Sequence, residues 1–261
     1  MVPRDAILCE SCGYDITTLE PSVRQNVNTP CPECGLRMIA SLPEHRYGSP
    51  WQRRQSLSNL LNTASRVVTA PNRAWFEVRI DSRANRKLLN RSLLLVSFAW
   101  PAAYGLPGII NALLHRASPA LALQRGFRWL LIAGALLLIL HTLCAIESLG
   151  LRFFARRRGW RTDRHIALAV IAHASIGWWL GPFLFLALLL IIINIAAPDP
   201  ASNAHLLTPV AALFFLHFLI PLLAFEILVY TGFRALRFAN YPRPKPAPHN
   251  APPTKATSSQ A

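Results

Sequence analysis

Two pairs of cysteines stand near the start of the chain at a spacing that suits a single metal ion. The first pair is Cys9 and Cys12, the second is Cys31 and Cys34, and 18 residues separate the pairs. Two thiolates three residues apart on a tight turn can occupy two corners of a tetrahedron, with Zn–S bonds of about 2.3 Å. A second turn supplies the other two corners, so the spacing predicts one four-cysteine Zn²⁺ site.

A disulfide, an iron site of the rubredoxin type and chance pairing are the alternatives to zinc at these cysteines. No long apolar leader follows Met1, so we expect the cysteines in the reducing cytoplasm, where disulfides are rare. An iron site uses similar turns, but the sequence offers no aromatic-rich core to shield it. Four thiolates leave no position for a catalytic water, so the predicted metal is structural and supplies folding energy to a small segment.

The residues around the cysteines support a turn at each pair. Gly13 and Gly35 follow the pairs, and glycine permits a positive φ that lets backbone N–H groups turn back toward the sulfurs. Pro32 favours the second turn. With turns that read CESCGY and CPECGL, residues 7–40 resemble a zinc ribbon. We expect a small β-type ribbon, with short strands and a loop within residues 14–29.

The chain as a whole has the composition of a membrane protein. Of the 261 residues, 52% are hydrophobic and only 15% are charged, against about 25% charged in an ordinary soluble domain. Long apolar runs cover residues 93–114, 127–146, 166–197 and 206–233. About 20 apolar residues suffice to span a bilayer. We therefore predict an all-α polytopic bundle with four spans, or five if Gly181-Pro182 splits the third run.

The basic residues that give the net charge of +15 are unevenly placed. Residues 1–92, 147–165 and 234–261 carry 13, 6 and 5 Lys and Arg, whereas the loops 114–128 and 198–205 carry 3 and 0. Because Lys and Arg favour the cytoplasmic side, this pattern favours four spans in a cell (inner) membrane with both termini cytoplasmic. It also predicts anionic lipid at the cytoplasmic face. Because the charges flank the apolar runs, we do not expect nucleic acid as the partner.

These observations divide the chain into four parts. Residues 1–42 form the zinc ribbon, 43–92 a linker with juxtamembrane amphipathic helices, 93–233 the transmembrane helical domain, and 234–261 a disordered, Pro-rich basic tail. The tail cannot bury enough apolar surface to fold.

Helical periodicity marks the juxtamembrane part. The apolar positions that recur at helical spacing in residues 51–70 are Leu57, Leu60, Leu61, Ala64, Val67 and Val68. They predict an amphipathic helix that lies on the membrane surface, binds a partner helix or packs on the protein itself. A second helix is expected over residues 74–89. Trp51 and Trp75 suit the headgroup zone of a bilayer.

Ionisable side chains also occur within or beside the apolar runs: His141, His173, His217 and Glu226. Such residues often mark a transport path or a site, although a neutral histidine bonded to a neighbouring helix is the simpler interpretation. Cys144 shares a helix face with His141. The sequence contains no HExxH, GxxxxGK[ST] or GxSxG motif, so we expect no catalytic residues and no enzyme activity.

The overall layout resembles bacterial membrane proteins of uncharacterised function that join a CxxCGYD-type ribbon to a multi-span domain. Residues 66–76 contain a Val-x-x-Pro-x-x-x-x-Phe segment before the first span, and residues 161–178 lead from a basic loop into a span rich in small residues. These two segments are similar to the Yip family, whose domains usually have five spans. Its eukaryotic members bind Rab-type GTPases and help to shape membranes, so the resemblance implies a scaffold or trafficking role.

Together, these patterns predict a non-enzymatic integral membrane adaptor or scaffold that presents the zinc ribbon to a cytoplasmic protein. A transporter or channel that uses the intramembrane His and Glu residues is one alternative. A membrane enzyme that acts on lipid is another.

Overall fold

A computed structural model describes residues 6–26, 28–114, 119–196 and 207–241. Within these residues the chain is mostly helical, and the β-structure amounts to two isolated antiparallel bridges. The helices are α1 (Glu20–Gln25), α2 (Pro50–Arg53), α3 (Leu57–Thr69), α4 (Pro71–Glu77), α5 (Ser82–Leu114), α6 (Pro119–Arg157), α7 (Arg164–Ala174), α8 (Leu180–Ala196) and α9 (Leu207–Leu236). A 3₁₀ turn, Ser175–Trp179, joins α7 to α8.

Among the described residues, three helical segments are long and apolar enough to cross a membrane. They are Gly126–Arg157 in α6, Arg164–Leu188 from α7 into α8, and Phe215–Leu236 in α9. The first predicted span lies within α5, which begins 11 residues earlier than the apolar run, at Ser82. The side chains of residues 106–114, the loop 198–205 and the tail from residue 242 lie outside the described residues.

The third apolar run does not turn back at Gly181-Pro182. Both residues lie in the first turn of α8, which continues from the 3₁₀ turn Ser175–Trp179 without a loop. A Cβ at Gly181 would lie 2.6 Å from the ring of Trp100, and one at Gly177 would lie 2.6 Å from the backbone nitrogen of Phe225. The glycines therefore permit close helix packing rather than a chain reversal.

Two tryptophans predicted for the headgroup zone are instead fully buried in the protein. The indole of Trp51 donates a hydrogen bond to the backbone oxygen of Ala84 (3.1 Å). The indole of Trp75 donates to the hydroxyl of Thr231 in α9 (3.2 Å). Their burial fixes α2 and α4 against the bundle, because each ring fills a site and finds a partner for its N–H.

The predicted helix over residues 51–70 is two helices. The side chain of Ser56 accepts a hydrogen bond from the backbone of Asn59 (3.3 Å) and so begins α3 after a break. The predicted helix over residues 74–89 is also interrupted, between the end of α4 and the start of α5. The apolar face of α3 divides into two rows. Leu60, Ala64 and Val67 are buried, whereas Leu57, Leu61 and Val68 are exposed.

Four helix ends meet at one end of the bundle, here called the module end: the starts of α5 and α7 and the ends of α6 and α9. The hydroxyl of Ser82, at the start of α5, is hydrogen-bonded to Nδ1 of His165 in α7. The backbone N–H of Arg161, between α6 and α7, donates to the backbone oxygen of Arg237, just after α9 (3.0 Å). The cysteine-containing segment contacts this same end.

Candidate metal centre

The four cysteines come together as the sequence predicts. Their sulfur atoms all lie within 4.8 Å of one another. Sγ of Cys9 is 3.6 Å from that of Cys34, and Sγ of Cys12 is 3.7 Å from that of Cys31. Bonds of about 2.3 Å to one tetrahedral metal would place the sulfurs about 3.8 Å apart. All four are free cysteines, so the cluster could hold one metal ion.

Two turns of the same construction carry the sulfurs. In the first cysteine turn (residues 8–15), the backbone N–H of Gly13 donates to Cys9 and that of Cys9 donates to Tyr14, both at 2.8 Å. The second cysteine turn (residues 30–37) repeats both hydrogen bonds at 2.9 and 2.8 Å. Gly13 and Gly35 have φ of +84° and +72°, which L side chains rarely adopt. The glycines are therefore required by the turn geometry.

The segment between the turns is helical rather than extended. A single antiparallel bridge closes each turn, and a 3₁₀ turn (Thr17–Leu19) and α1 occupy the place of the expected short strands. Seven buried residues form the small core beneath: Ile7, Cys9, Ile16, Val23, Cys31, Met38 and Leu42. Such a small core offers little folding energy, so a metal ion would add substantially to the stability of this metal module (residues 6–42).

The thiols differ in how readily they ionise. Burial raises the pKa of Cys9. The backbone N–H of Leu36 stabilises the thiolate of Cys34 and lowers its pKa to about 7. Because metals bind thiolates, Cys34 costs less to deprotonate at neutral pH than Cys9.

A buried ion pair joins the first cysteine turn to the end of α4. Nε and Nη2 of Arg46 donate to the two carboxylate oxygens of Glu10 at 2.8 and 2.7 Å, and the side chains are only 2% and 3% exposed. Nη1 of Arg46 donates to the backbone oxygens of Trp75 (3.1 Å) and Val78 (2.9 Å), at the end of α4. One guanidinium thus links the metal module to α4.

The segment after α9 holds the metal module from a second side. The side-chain amide of Asn240 donates to the backbone oxygens of Leu8 and Ser41, both at 2.7 Å. Its Oδ1 accepts from the backbone N–H of Leu8 at 2.9 Å. Nη2 of Arg237 donates to the backbone oxygen of Ser11 at 2.6 Å. This buried amide therefore satisfies backbone groups of the first turn that would otherwise lack partners.

The loop between α6 and α7 supplies a third attachment. Nη1 of Arg161 donates to the backbone oxygen of Ala6 (2.6 Å) and to Oδ1 of Asn240 (3.1 Å). The ring of Phe238 packs so closely on Gly13 that a Cβ there would lie 2.7 Å from it. Sequence reasoning missed these docking residues because they share no motif, although Glu10 lies visibly inside the first cysteine pair.

The tip of the second cysteine turn is exposed, although Leu36 near its end lines a cavity of about 530 Å³ together with residues of α4 and α9. Pro32, Glu33, Cys34 and Gly35 are all exposed. A Cβ at Gly35 would meet no atom within 4 Å, in contrast to the contact of Gly13 with Phe238. The metal module therefore has one turn fixed on the bundle and one turn open to solvent.

The histidines of the candidate membrane-spanning helices lie in different surroundings. His173 is fully buried; its Nδ1 donates to the backbone oxygen of Ala169 (2.9 Å), and its Nε2 accepts from the hydroxyl of Ser49 (3.1 Å). Nδ1 of His141 donates to the backbone oxygen of Leu137 (2.9 Å). Both histidines therefore make structural hydrogen bonds within their own helix, and only His173 also bonds to another element, whereas the simpler interpretation of the sequence predicts bonds to a neighbouring helix.

His217 and Glu226 are the other two ionisable residues of the apolar runs, and they have different neighbours. The ring of His217 is buried and packs 5.7 Å from that of Trp100 and 4.1 Å from that of Phe218. Glu226 lines a cavity of about 250 Å³ together with Glu147. In the part of the chain that the structure describes, the metal-ligand side chains that cluster around one point are the four cysteines.

Comparison of the chain with models of protein families, with curated proteins and with solved structures finds no match. The resemblance to the Yip family and to ribbon-bearing bacterial membrane proteins therefore rests on the sequence motifs alone.

Proposed function

We propose that the protein is a non-enzymatic integral membrane adaptor, which carries one structural Zn²⁺ and presents the metal module to a cytoplasmic protein. The observation that carries this proposal is the orientation of the module, with the first turn fixed on the bundle and the second turn open. A tetrahedral set of four thiolates suits zinc or an iron site, and zinc is the commoner choice for two paired turns. Such a closed set leaves no position for a substrate.

Contacts at the module end support four crossings of the membrane. Arg161, between α6 and α7, and Arg237, after α9, both bond to the metal module. With five spans, the end of α9 would lie across the membrane from the metal module and from the loop between α6 and α7. The described parts of the segments that carry 13, 6 and 5 basic residues meet at this end, so the positive-inside rule supports a cytoplasmic module.

The exposed face of α3 supports attachment to the membrane surface. Leu57, Leu61 and Val68 are more than half exposed, and their spacing places them on one side of the helix. A helix with an exposed apolar row beside a bundle is suited to lie in the headgroup zone. We propose that α3 lies there and holds the metal module close to the bilayer.

Transport is the alternative that the structure gives a reason to test. The cavity with Glu147 and Glu226 could pass a proton or cation, whereas the hydrogen bonds of His141 and His173 suit a structural role. Flux into proteoliposomes separates the two functions. Saturable flux that is lost in Glu147→Gln or Glu226→Gln, but retained in His141→Ala, would favour a transporter over an adaptor.

A crosslinking experiment tests the adaptor directly. A photoreactive residue at position 33, in the open second turn, should crosslink in cells to one cytoplasmic protein. The same residue at position 83, exposed on α5 at the module end, is the matched control. The adduct should disappear in Cys31→Ser, because loss of the metal unfolds the turn. An adduct that forms equally at position 83 or survives Cys31→Ser would contradict the proposal.

A further inference from the structure

A groove opens between the ends of α6 and α9 at the module end of the bundle. Its head is a cavity of about 240 Å³ lined by Arg158, Trp160, Tyr230, Phe233, Arg234 and Arg237. Three of these six residues are arginines, three are aromatic and none is acidic. The groove head therefore combines three positive charges with flat apolar walls.

The arginines are positioned by the aromatic residues. The guanidinium carbons of Arg158 and Arg237 lie 5.3 and 5.6 Å from the centroid of the Trp160 ring, at the distance of a cation–π contact. Nε of Arg237 is buried and has no hydrogen-bond partner among the described residues. Arg158 and Arg234 are exposed. The groove head thus retains N–H donors that an anion could satisfy.

The groove continues along the helices as a channel lined mostly by apolar residues, with Glu147 and Glu226 also in its wall. A second cavity, of about 250 Å³, shares Arg158 and Trp160 with the head and extends along Leu151, Phe154 and Val229. The side chain of Phe154 is 59% exposed, and at membrane depth it would contact lipid. A ligand that fills both parts must be anionic at one end and apolar at the other.

We propose that this groove binds one anionic phospholipid. Its phosphate lies among Arg158, Arg234 and Arg237, because guanidinium forks bind phosphate oxygens in pairs. One acyl chain lies along the channel. Trp160 and Tyr230 lie at the junction, where amphipathic rings favour the level of the headgroups.

The two carboxylates of the channel are compatible with this arrangement. Glu226 precedes Arg234 by eight residues on α9, or about 12 Å of helix rise. Glu147 and Glu226 would therefore adjoin the acyl chain rather than the phosphate. The site requires neither the metal nor a protein partner, so the inference goes beyond the proposed function.

Lipid retention by the full-length protein tests the site. The purified protein in detergent is titrated with dioleoyl phosphatidylglycerol, or with phosphatidylcholine carrying the same chains, and bound lipid is counted by native mass spectrometry. The double variant Arg158→Gln/Arg234→Gln should weaken phosphatidylglycerol binding by on the order of tenfold to thirtyfold. Phosphatidylcholine should bind weakly to both proteins. Arg237 is left in place because it also contacts Ser11.

Two further variants distinguish a specific phospholipid site from general electrostatic attraction between basic residues and anionic lipid. Arg53→Gln/Arg54→Gln removes the same charge from exposed positions at α2 and should retain wild-type binding. Phe154→Glu, at an exposed position of the channel, should reduce phosphatidylglycerol binding with all arginines in place. An equal loss in the α2 variant, or equal affinity for the two lipids, would overturn the proposal. So would displacement of the lipid by inorganic phosphate alone with the same dependence on Arg158 and Arg234.

Discussion

Alanine substitutions at Gly13 and Gly35 form a matched pair that tests how the metal module is docked. Both glycines follow the second cysteine of a turn and have similar positive φ values, +84° and +72°. They differ in their surroundings. A Cβ at position 13 would lie 2.7 Å from the ring of Phe238, whereas one at position 35 would meet nothing within 4 Å.

The expected costs follow from these two facts. An L residue in the left-handed region costs about 1–2 kcal/mol, and both variants incur this cost. Gly13→Ala also forces Phe238 to move, and overpacking of a close contact costs about 1–3 kcal/mol. Gly13→Ala should therefore destabilise the module by about 2–5 kcal/mol, and Gly35→Ala by about 1–2 kcal/mol.

Metal competition measures both costs, because metal binding and folding of the module are linked. The full-length variants compete for Zn²⁺ with a chromophoric chelator. Gly13→Ala should lose metal at lower chelator concentration than Gly35→Ala, and adding Phe238→Ala to Gly13→Ala should bring the two together. Equal behaviour of the single variants, or no effect of Phe238→Ala, would refute the docking of the first turn on the segment after α9.

Three further predictions concern the buried ion pair, the thiols and the membrane topology. Arg46→Met should destabilise the protein by about 3–5 kcal/mol because it leaves Glu10 buried without its partner. Adding Glu10→Gln should recover part of that loss, and thermal unfolding in detergent checks both changes against the exposed control Arg53→Met. When a chelator removes the metal under conditions in which circular dichroism shows the module still folded, iodoacetamide should alkylate Cys34 before Cys9, at a rate that rises through pH 7 as the Cys34 thiolate forms; faster reaction of Cys9 in the folded module would contradict the assignment. In a protein variant without its native cysteines, expressed in intact cells, a membrane-impermeant thiol reagent should label Ser202→Cys and miss Ser258→Cys; the reverse pattern would support five spans.

The cysteine cluster could be predicted from the sequence because its geometry is local. Each pair fixes two ligands within one turn, and Gly13 and Gly35 indicate the backbone conformation directly. The long apolar runs likewise indicated helices able to cross a membrane, as α6, α7–α8 and α9 show. Both signals depend on residues that are close together in the chain.

The docking of the module could not be predicted, since its contacts join distant parts of the chain. Leu8 and Asn240 are 232 residues apart, and neither belongs to a motif. Helical periodicity also could not show whether Trp51 and Trp75 are buried in the protein or lie in the headgroup zone. An amphipathic pattern is the same whether the apolar face contacts lipid or protein. The breaks before α3 and α5 depend on local capping and on tertiary packing, which override the helical pattern.

Metal analysis of the intact protein tests the central claim most directly. Elemental analysis of purified full-length protein should find about one zinc per chain, and X-ray absorption should show four sulfur ligands at about 2.3 Å. Cys9→Ser and Cys31→Ser should each lose the metal, whereas Cys144→Ser, in α6 away from the cluster, should retain it. Iron in place of zinc, no bound metal, or a metal that survives Cys9→Ser would contradict a structural zinc site at these four cysteines.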